Sequence, residues 1–352
     1  MPAIDHQSKR HVSLVIPGLL GPKSSANGDG TSEWPPTPAL ELLLARADKQ
    51  RVERSADFET MIFELFDIDV DAEHDLPVAA VTRALDLGVI DKGWWLRADP
   101  VHLRADRNRL ILADNKVLGI TQDEADGLVS EIMEVYAEDG WVLKAARPDR
   151  WYLKPTDVPK LNTVPLPAVI GRDINDCLPR GEDYKIWHTI LNEVQILLHT
   201  AKTNVERERR GALPINSVWF WGGGRLPELK HTQWSHVWSG EPVSLALARL
   251  SQTLSKDVPD SAEDWLDSDN TPGQHLVVLD QGREAIEYGA VDEWHRFVAT
   301  IENNWIAPLV AGLHDERMSS VSILLETGER FHLNAKATRR WWRRRRPLQR
   351  YR

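Results

Sequence analysis

The sequence predicts an α/β fold in which a parallel-sheet core is interrupted by an inserted α+β domain. Three observations carry that reading. The chain opens as strand, polar loop and helix; its middle mixes short strands and helices with a proline-rich connector; its last third alternates strands and helices again. At 352 residues it can bury a substantial core, as one large domain or two ordinary ones.

In chain order, His11–Leu20 is an apolar run broken by Pro17-Gly18, which suits a buried first strand. Residues 21–38 are rich in Gly, Pro and Ser and read as a loop. Pro38–Ala47 then carries apolar residues at helical spacing behind the start signal Thr37-Pro38. Trp94–Leu103 and Arg109–Ala113 read as short strands around the turn Asp106-Arg107-Asn108. Thr121 and Glu124 have capping-box spacing ahead of a helix that runs to Tyr136. Five prolines mark residues 155–181 as a connector, and Glu182–Thr200 is a long amphipathic helix. Ile215–Trp221 is a strand ending in Gly222-Gly223-Gly224. Gln274–Leu279 and Val321–Leu325 are strands, and Val291–Leu313 is a helix that Pro308 should bend or shorten. The implied boundaries are core 11–90 and 215–335, insert 91–214, and a tail at 336–352.

A composition of 42% hydrophobic and 27% charged residues excludes a disordered chain. The single cysteine, Cys177, excludes an internal disulfide framework and a multi-thiolate zinc site. No apolar run is long enough to span a bilayer, and MPAIDHQSKR lacks the apolar stretch of a signal peptide. A reducing, cytoplasmic setting is the expectation. Most of the fifteen tryptophans should serve packing.

The net charge of −10 hides an asymmetry. Residues 336–352 hold Lys336 and eight arginines without an acid, so the rest of the chain sets 34 Lys+Arg against 53 Asp+Glu, a balance of −19. Arg339, Arg340, Trp341, Trp342, Arg343, Arg344, Arg345 and Arg346 mix guanidinium groups with indoles. Such a mixture binds phosphate backbones and stacks on bases, or docks on an acidic protein, an anionic membrane or its own acidic body. The alternative is a frayed, solvated end. A protein partner is the leading expectation, and nucleic acid through the tail the next.

Three segments resemble the archaeal-type cofactor-independent phosphoglycerate mutases of the alkaline phosphatase superfamily. They are Trp95–Leu103 with Ile120–Leu128, Ala168–Gly181, and Asn192–Pro227, which contains TNVERERRGALPINSVWFWGGGRLP. The WLRADPVHLRAD and NSVWFWGGG segments, with the basic tryptophan-bearing tail, also resemble a bacterial family labelled regulation-of-pathogenicity-factors protein E. The resemblance implies an alkaline-phosphatase-like core. It also implies a chemistry of a serine nucleophile and two divalent metals held by Asp and His at strand ends.

Against that pattern this chain departs four times. Pro17-Gly18 stands where the first Asp ligand follows the first strand. Only Ser55, without a nearby glycine, is offered as nucleophile between residues 48 and 93. Glu326-Thr327-Gly328 replaces the late Asp-His pair, and Pro165-Leu166-Pro167 replaces a Pro-His-Asp. His231, His236, Asp267, Asp269 and His275 match no metal-binding helix pair and read as surface or loop residues. No catalytic residue, metal ligand or cofactor is therefore expected.

In the family, arginines of the insert grip phosphate and carboxylate. Arg97, Asp99, His102, Asn204, Arg207, Asn216 and Arg225 are the corresponding ligand-binding expectations, for a small phosphorylated acid. Their alternative role is a buried ion-pair network. The triple glycine lacks both the dinucleotide and the Walker spacing, so it reads as a close backbone approach. The resulting expectation is a non-catalytic regulatory or adaptor protein derived from a mutase. An enzyme with a rearranged metal site and a nucleic-acid-binding accessory protein are the alternatives.

Overall fold

The computed structural model describes residues 10–21, 34–51, 57–69, 74–106, 109–113, 115–230, 232–268 and 271–352. Ser55, His231 and Asp269 lie outside the described residues. The strands run in chain order β1 (Arg10–Val15), β2 (Asp48–Arg51), β3 (Trp94–Asp106), β4 (Arg109–Ala113), β5 (Val142–Arg147), β6 (Arg150–Lys154), β7 (Ser217–Arg225), β8 (Trp234–Trp238), β9 (Leu254–Lys256), β10 (Gly273–Val278), β11 (Ser320–Leu324) and β12 (Glu329–Asn334). The chain divides into two compact units, Met1–Ile68 with Leu229–Arg352, and Asp69–Glu228.

The first unit is built on a sheet of order β2-β12-β11-β1-β10-β8-β9. β1, β8, β9, β10 and β11 pair in parallel, while β12 and β2 close one edge antiparallel. β1 is central because it is apolar on both faces: Val12, Leu14 and Val15 are all buried. Trp265, Trp294 and Phe331 anchor the same core, each contributing on the order of 2–3 kcal/mol of burial.

The helix Pro38–Arg46 begins at Thr37 as its sequence signals, but Thr37 makes no side-chain cap. The amides of Ala39 and Leu40 instead donate to Glu302, at 2.6 and 2.9 Å. Glu302 lies in a π-helical segment, Ile301–Ile306, between the α-helices Val291–Thr300 and Ala307–His314. Pro308 thus neither ends the helix nor cuts it short. The ladder widens just before the residue that lacks an N–H, and the wider turn carries Glu302 to a helix end in need of an acceptor.

The second unit holds the antiparallel sheet β4-β3-β6-β5, with β7 also paired to β3. Two boundaries differ from the sequence-based ones. β7, expected in the core, runs beside β3 from Trp94↔Arg225 to Val101↔Ser217. It buries Phe220 against Trp187 of the helix Tyr184–Thr200, with ring centroids 5.0 Å apart. The helix Val78–Leu87, also expected in the core, lays Arg83 over the Trp95 ring at 4.0 Å. The capping box is as expected: Thr121 accepts from the Glu124 amide, and the Glu124 carboxylate accepts from the Thr121 amide.

The three glycines lie within β7 rather than after it. Between the pairs Trp95↔Gly224 and Arg97↔Trp221 the register slips, and Gly222 adopts φ +65°. A side chain on Gly223 would stand 2.4 Å from the Trp94 ring. This is a glycine bulge that admits a close approach, in keeping with the sequence reading of the triplet.

Candidate functional site

The seven ligand-binding candidates of the second unit are engaged mainly with the protein itself. Arg97 and Asp99 form a buried bidentate pair, Nε and Nη2 donating to the carboxylate at 2.9 and 2.8 Å. Asp99 also accepts from Trp221 Nε1 at 2.7 Å and from the Trp151 amide at 3.2 Å. The guanidinium faces the Tyr152 and Trp221 rings at 5.3 and 5.2 Å.

The other candidates brace the chain. His102 donates from Nδ1 to the Pro214 carbonyl at 2.8 Å. Asn204 bridges Leu198 and Ile215, and Asn216 pairs with both backbone groups of Leu103. Arg207, fully buried, donates to the Leu213 and Leu118 carbonyls and pairs with Glu124 at 2.7 Å. Arg225 donates to the Lys92 carbonyl at 3.0 Å and lines a cavity. That cavity, about 760 Å³, is also bounded by Trp94, Asp75, Lys160, Gly223 and Gly224. Burial pushes the Asp75 carboxyl up, against hydrogen bonds from Thr163 and the Gly223 amide.

A different cluster occupies the carboxyl ends of the parallel strands in the first unit, the edge where open α/β sheets place their chemistry. Arg283 follows β10 and pairs with Glu59 and with Glu287, the latter at 2.9 Å. Its side chain is 21% exposed and that of Glu59 7%. Burial alone would lower the Arg283 pKa, but Glu59 and Glu287 raise it, so the guanidinium is a permanent cation.

Two more carboxylates act on Arg283. Glu241, after β8, caps the helix Pro242–Leu250 by accepting from Val243 and Ser244 amides at 2.8 and 2.7 Å. Glu326, after β11, accepts from the Gly18 amide, and burial pushes its carboxyl up while Arg283 pulls it down. Burial likewise pushes the Glu241 carboxyl up.

Two divalent metals do not fit this edge. The loop after β1 presents Pro17-Gly18, β11 is followed by one carboxylate, and a guanidinium already sits among the acids. Among the described residues no group of three or more His, Cys, Asp or Glu is placed to hold a metal ion. His236 and His275 correct an expectation. They are buried strand residues facing each other across β8 and β10, rings stacked 4.8 Å apart, rather than surface or loop residues. His275 is fixed by Trp238 Nε1 at 3.2 Å and by donation to the Thr271 carbonyl at 3.0 Å. Asp267 is exposed and pairs with Arg317.

The basic segment 336–352 is folded at both ends onto the first unit. Arg340 grips Asp48 at 2.5 and 3.0 Å, and Arg343 donates to the Ala47 carbonyl at 2.7 Å. Leu348 is 1% exposed in the core, and Tyr351 packs edge-on to Phe331 at 5.9 Å. Arg339, Trp341, Trp342 and Arg344–Arg346 remain exposed.

These features define a two-unit α/β protein with an antiparallel unit inserted into a largely parallel one. The chain is a distant relative of the archaeal-type cofactor-independent phosphoglycerate mutases. It is 25% identical over 154 residues to a probable 2,3-bisphosphoglycerate-independent phosphoglycerate mutase of Geobacter sulfurreducens, covering 44% of this chain and 38% of that one. It is 32% identical over 76 residues to the corresponding mutase of Methanosarcina acetivorans, covering 22% and 19%. The chain thus spans about two fifths or less of the curated relatives it matches. Among solved structures, the PH0037 protein from Pyrococcus horikoshii shares the fold: TM-score 0.56, 14% identity, 93% of this chain and 88% of that one covered. A cofactor-independent phosphoglycerate mutase from Thermoplasma acidophilum aligns with TM-score 0.42 at 15% identity, covering 93% and 90%. No family model matches the chain.

Proposed function

We propose that this chain is a non-catalytic relative of the metal-dependent phosphoglycerate mutases, acting as a regulatory or adaptor protein of the kind grouped as regulation-of-pathogenicity-factors protein E. The observation that carries the reading is Arg283, a fixed internal cation among Glu59, Glu287, Glu241 and Glu326 at the carboxyl edge of the parallel strands. In a two-metal phosphoryl transferase, the positive charge at such an edge comes from exchangeable ions with open coordination positions. A guanidinium offers hydrogen bonds and no open position, so it holds the acids together without activating a nucleophile.

A second reading, retention of a small phosphorylated acid, is favoured by Arg225 at the 760 Å³ cavity of the inserted unit, with Lys160 on the same lining. Calorimetric titration of metal-stripped protein with manganese and then zinc, alongside phosphoglycerate turnover, tests the main reading. Heat-silent titrations and no turnover are expected. Stoichiometric binding of two ions with turnover would overturn it in favour of an enzyme with a rearranged site.

A further inference from the structure

We propose that the loop Trp341–Arg346 is a docking site for an anionic lipid surface. The loop is fastened at both ends. Arg340 and Arg343 hold its start to residues 46–48, and Leu348 and Tyr351 hold its exit in the core. Between these anchors the chain forms neither helix nor strand, and it presents two neighbouring indoles that are 78% and 62% exposed. Arg344, Arg345 and Arg346 follow after Arg343, all exposed.

Two large apolar rings held out into water, rather than folded over the nearby core, are costly unless something covers them. Indoles next to guanidinium groups match a membrane interface. The rings settle at headgroup depth, and the cations meet lipid phosphates and anionic headgroups. Because the loop is pre-anchored, docking orders little further chain.

Two other polyanionic partners match the loop less well. A single-stranded nucleic acid stacks successive bases on aromatic faces that share a direction. Trp341 and Trp342 lie at 85° to each other with centroids 6.0 Å apart, so they make no continuous platform. An acidic peptide is met by clustered arginines, which leaves the two indoles, exposed beside them, uncovered. A lipid surface asks only for amphipathic rings and cations. The acidic balance of the remaining chain, −19, turns the basic loop toward an anionic surface and keeps the rest away from it.

The test is co-sedimentation of the full chain with vesicles of phosphatidylcholine alone, or of equal parts phosphatidylcholine and phosphatidylglycerol. A labelled oligothymidine of matched charge is titrated in parallel. Binding to the anionic vesicles only is expected, weakening as salt is raised. Each substitution among Arg344→Gln, Arg345→Gln and Arg346→Gln should cost about five-fold in partitioning. The pair Trp341→Ser and Trp342→Ser should release the protein from anionic vesicles with its circular dichroism unchanged, since both side chains are exposed. Absence of vesicle binding, equal binding to neutral vesicles, or tighter binding to the oligothymidine than to the vesicles would each overturn the proposal. The last outcome would reassign the loop to nucleic acid.

Discussion

Replacing Asp99 by asparagine keeps the shape of the side chain and removes its charge. Each carboxylate oxygen of Asp99 accepts twice: one from Arg97 Nε and the Trp151 amide, the other from Arg97 Nη2 and Trp221 Nε1. An amide nitrogen in the second position would face two donors and satisfy neither. Arg97 would then be a buried cation without a counter-charge on residue 99, keeping its Nε bond to the amide oxygen, Thr82 Oγ1 at 3.3 Å and two aromatic faces. Breaking one side of a buried ion pair costs about 3–5 kcal/mol, a large share of the roughly 5–15 kcal/mol that holds a domain together. The assay is urea denaturation with hydrogen exchange read on β3, β6 and β7, so that opening of the inserted unit is seen separately. Asp99→Asn should lower protection there by about that amount. The pair Arg97→Met with Asp99→Leu should recover only part of it, because an apolar pair strands no charge but leaves the Trp151 amide and Trp221 Nε1 without an acceptor. A loss under about 1 kcal/mol for Asp99→Asn would refute the reasoning. It would mean that the pair is hydrated and free to serve a ligand, as the sequence alone had implied.

Two further outcomes follow from other features. Gly223→Ala places a methyl 2.4 Å from the Trp94 ring and should destabilise the inserted unit by about 1–3 kcal/mol in thermal denaturation. Gly240→Ala, with nothing within 4 Å of the new atom, serves as the neutral control. Asp48 is held below the usual carboxylate range, first by its hydrogen bond from Arg340. Its contribution is therefore fully present above the unfolded-state value near 3.8 and is lost as pH falls through the lowered folded value. The protection of amides in 336–352 against exchange should therefore fall as pH drops below about 4, and Asp48→Asn should lower it above that pH as well.

What could be read from the sequence was local. The Thr121–Glu124 capping box, the helix ahead of Thr200, β1 and the glycine approach all depend on spacing within a few residues, and each is present. The strands β5 and β6 carry no clear sequence signal because Lys144, Arg147, Arg150 and Lys154 interrupt their apolar positions; β6 is nevertheless buried, at Trp151 and Tyr152. The Arg283 cluster was illegible for a different reason. Glu287 lies one helical turn from Arg283, but Glu59, Glu241 and Glu326 come from a helix and strand ends far apart in the chain, and only the parallel topology brings them to that arginine. One signal was available: Gly282-Arg283 stands just beyond an apolar strand, where such sheets keep their functional groups. For the basic segment, Leu348 and Tyr351 were the apolar residues that a solvated end has no use for.

The position of β1 has a consequence for how the chain is made. Among the described strands of its sheet, the earliest in the chain, β1, is the central one, and its two partners, β10 and β11, begin at Gly273 and Ser320. At ribosomal speeds of about 5–20 residues per second, β1 waits on the order of tens of seconds for a neighbour. During that interval the whole of 69–228 emerges and can close its own sheet, since each strand of that sheet finds its partners within the same stretch. Vectorial synthesis therefore favours an order in which the insert is finished first, while the apolar strand β1 ahead of it stays unpaired. That waiting strand is the natural client for a holding chaperone, and nascent chains stalled before residue 273 should display it.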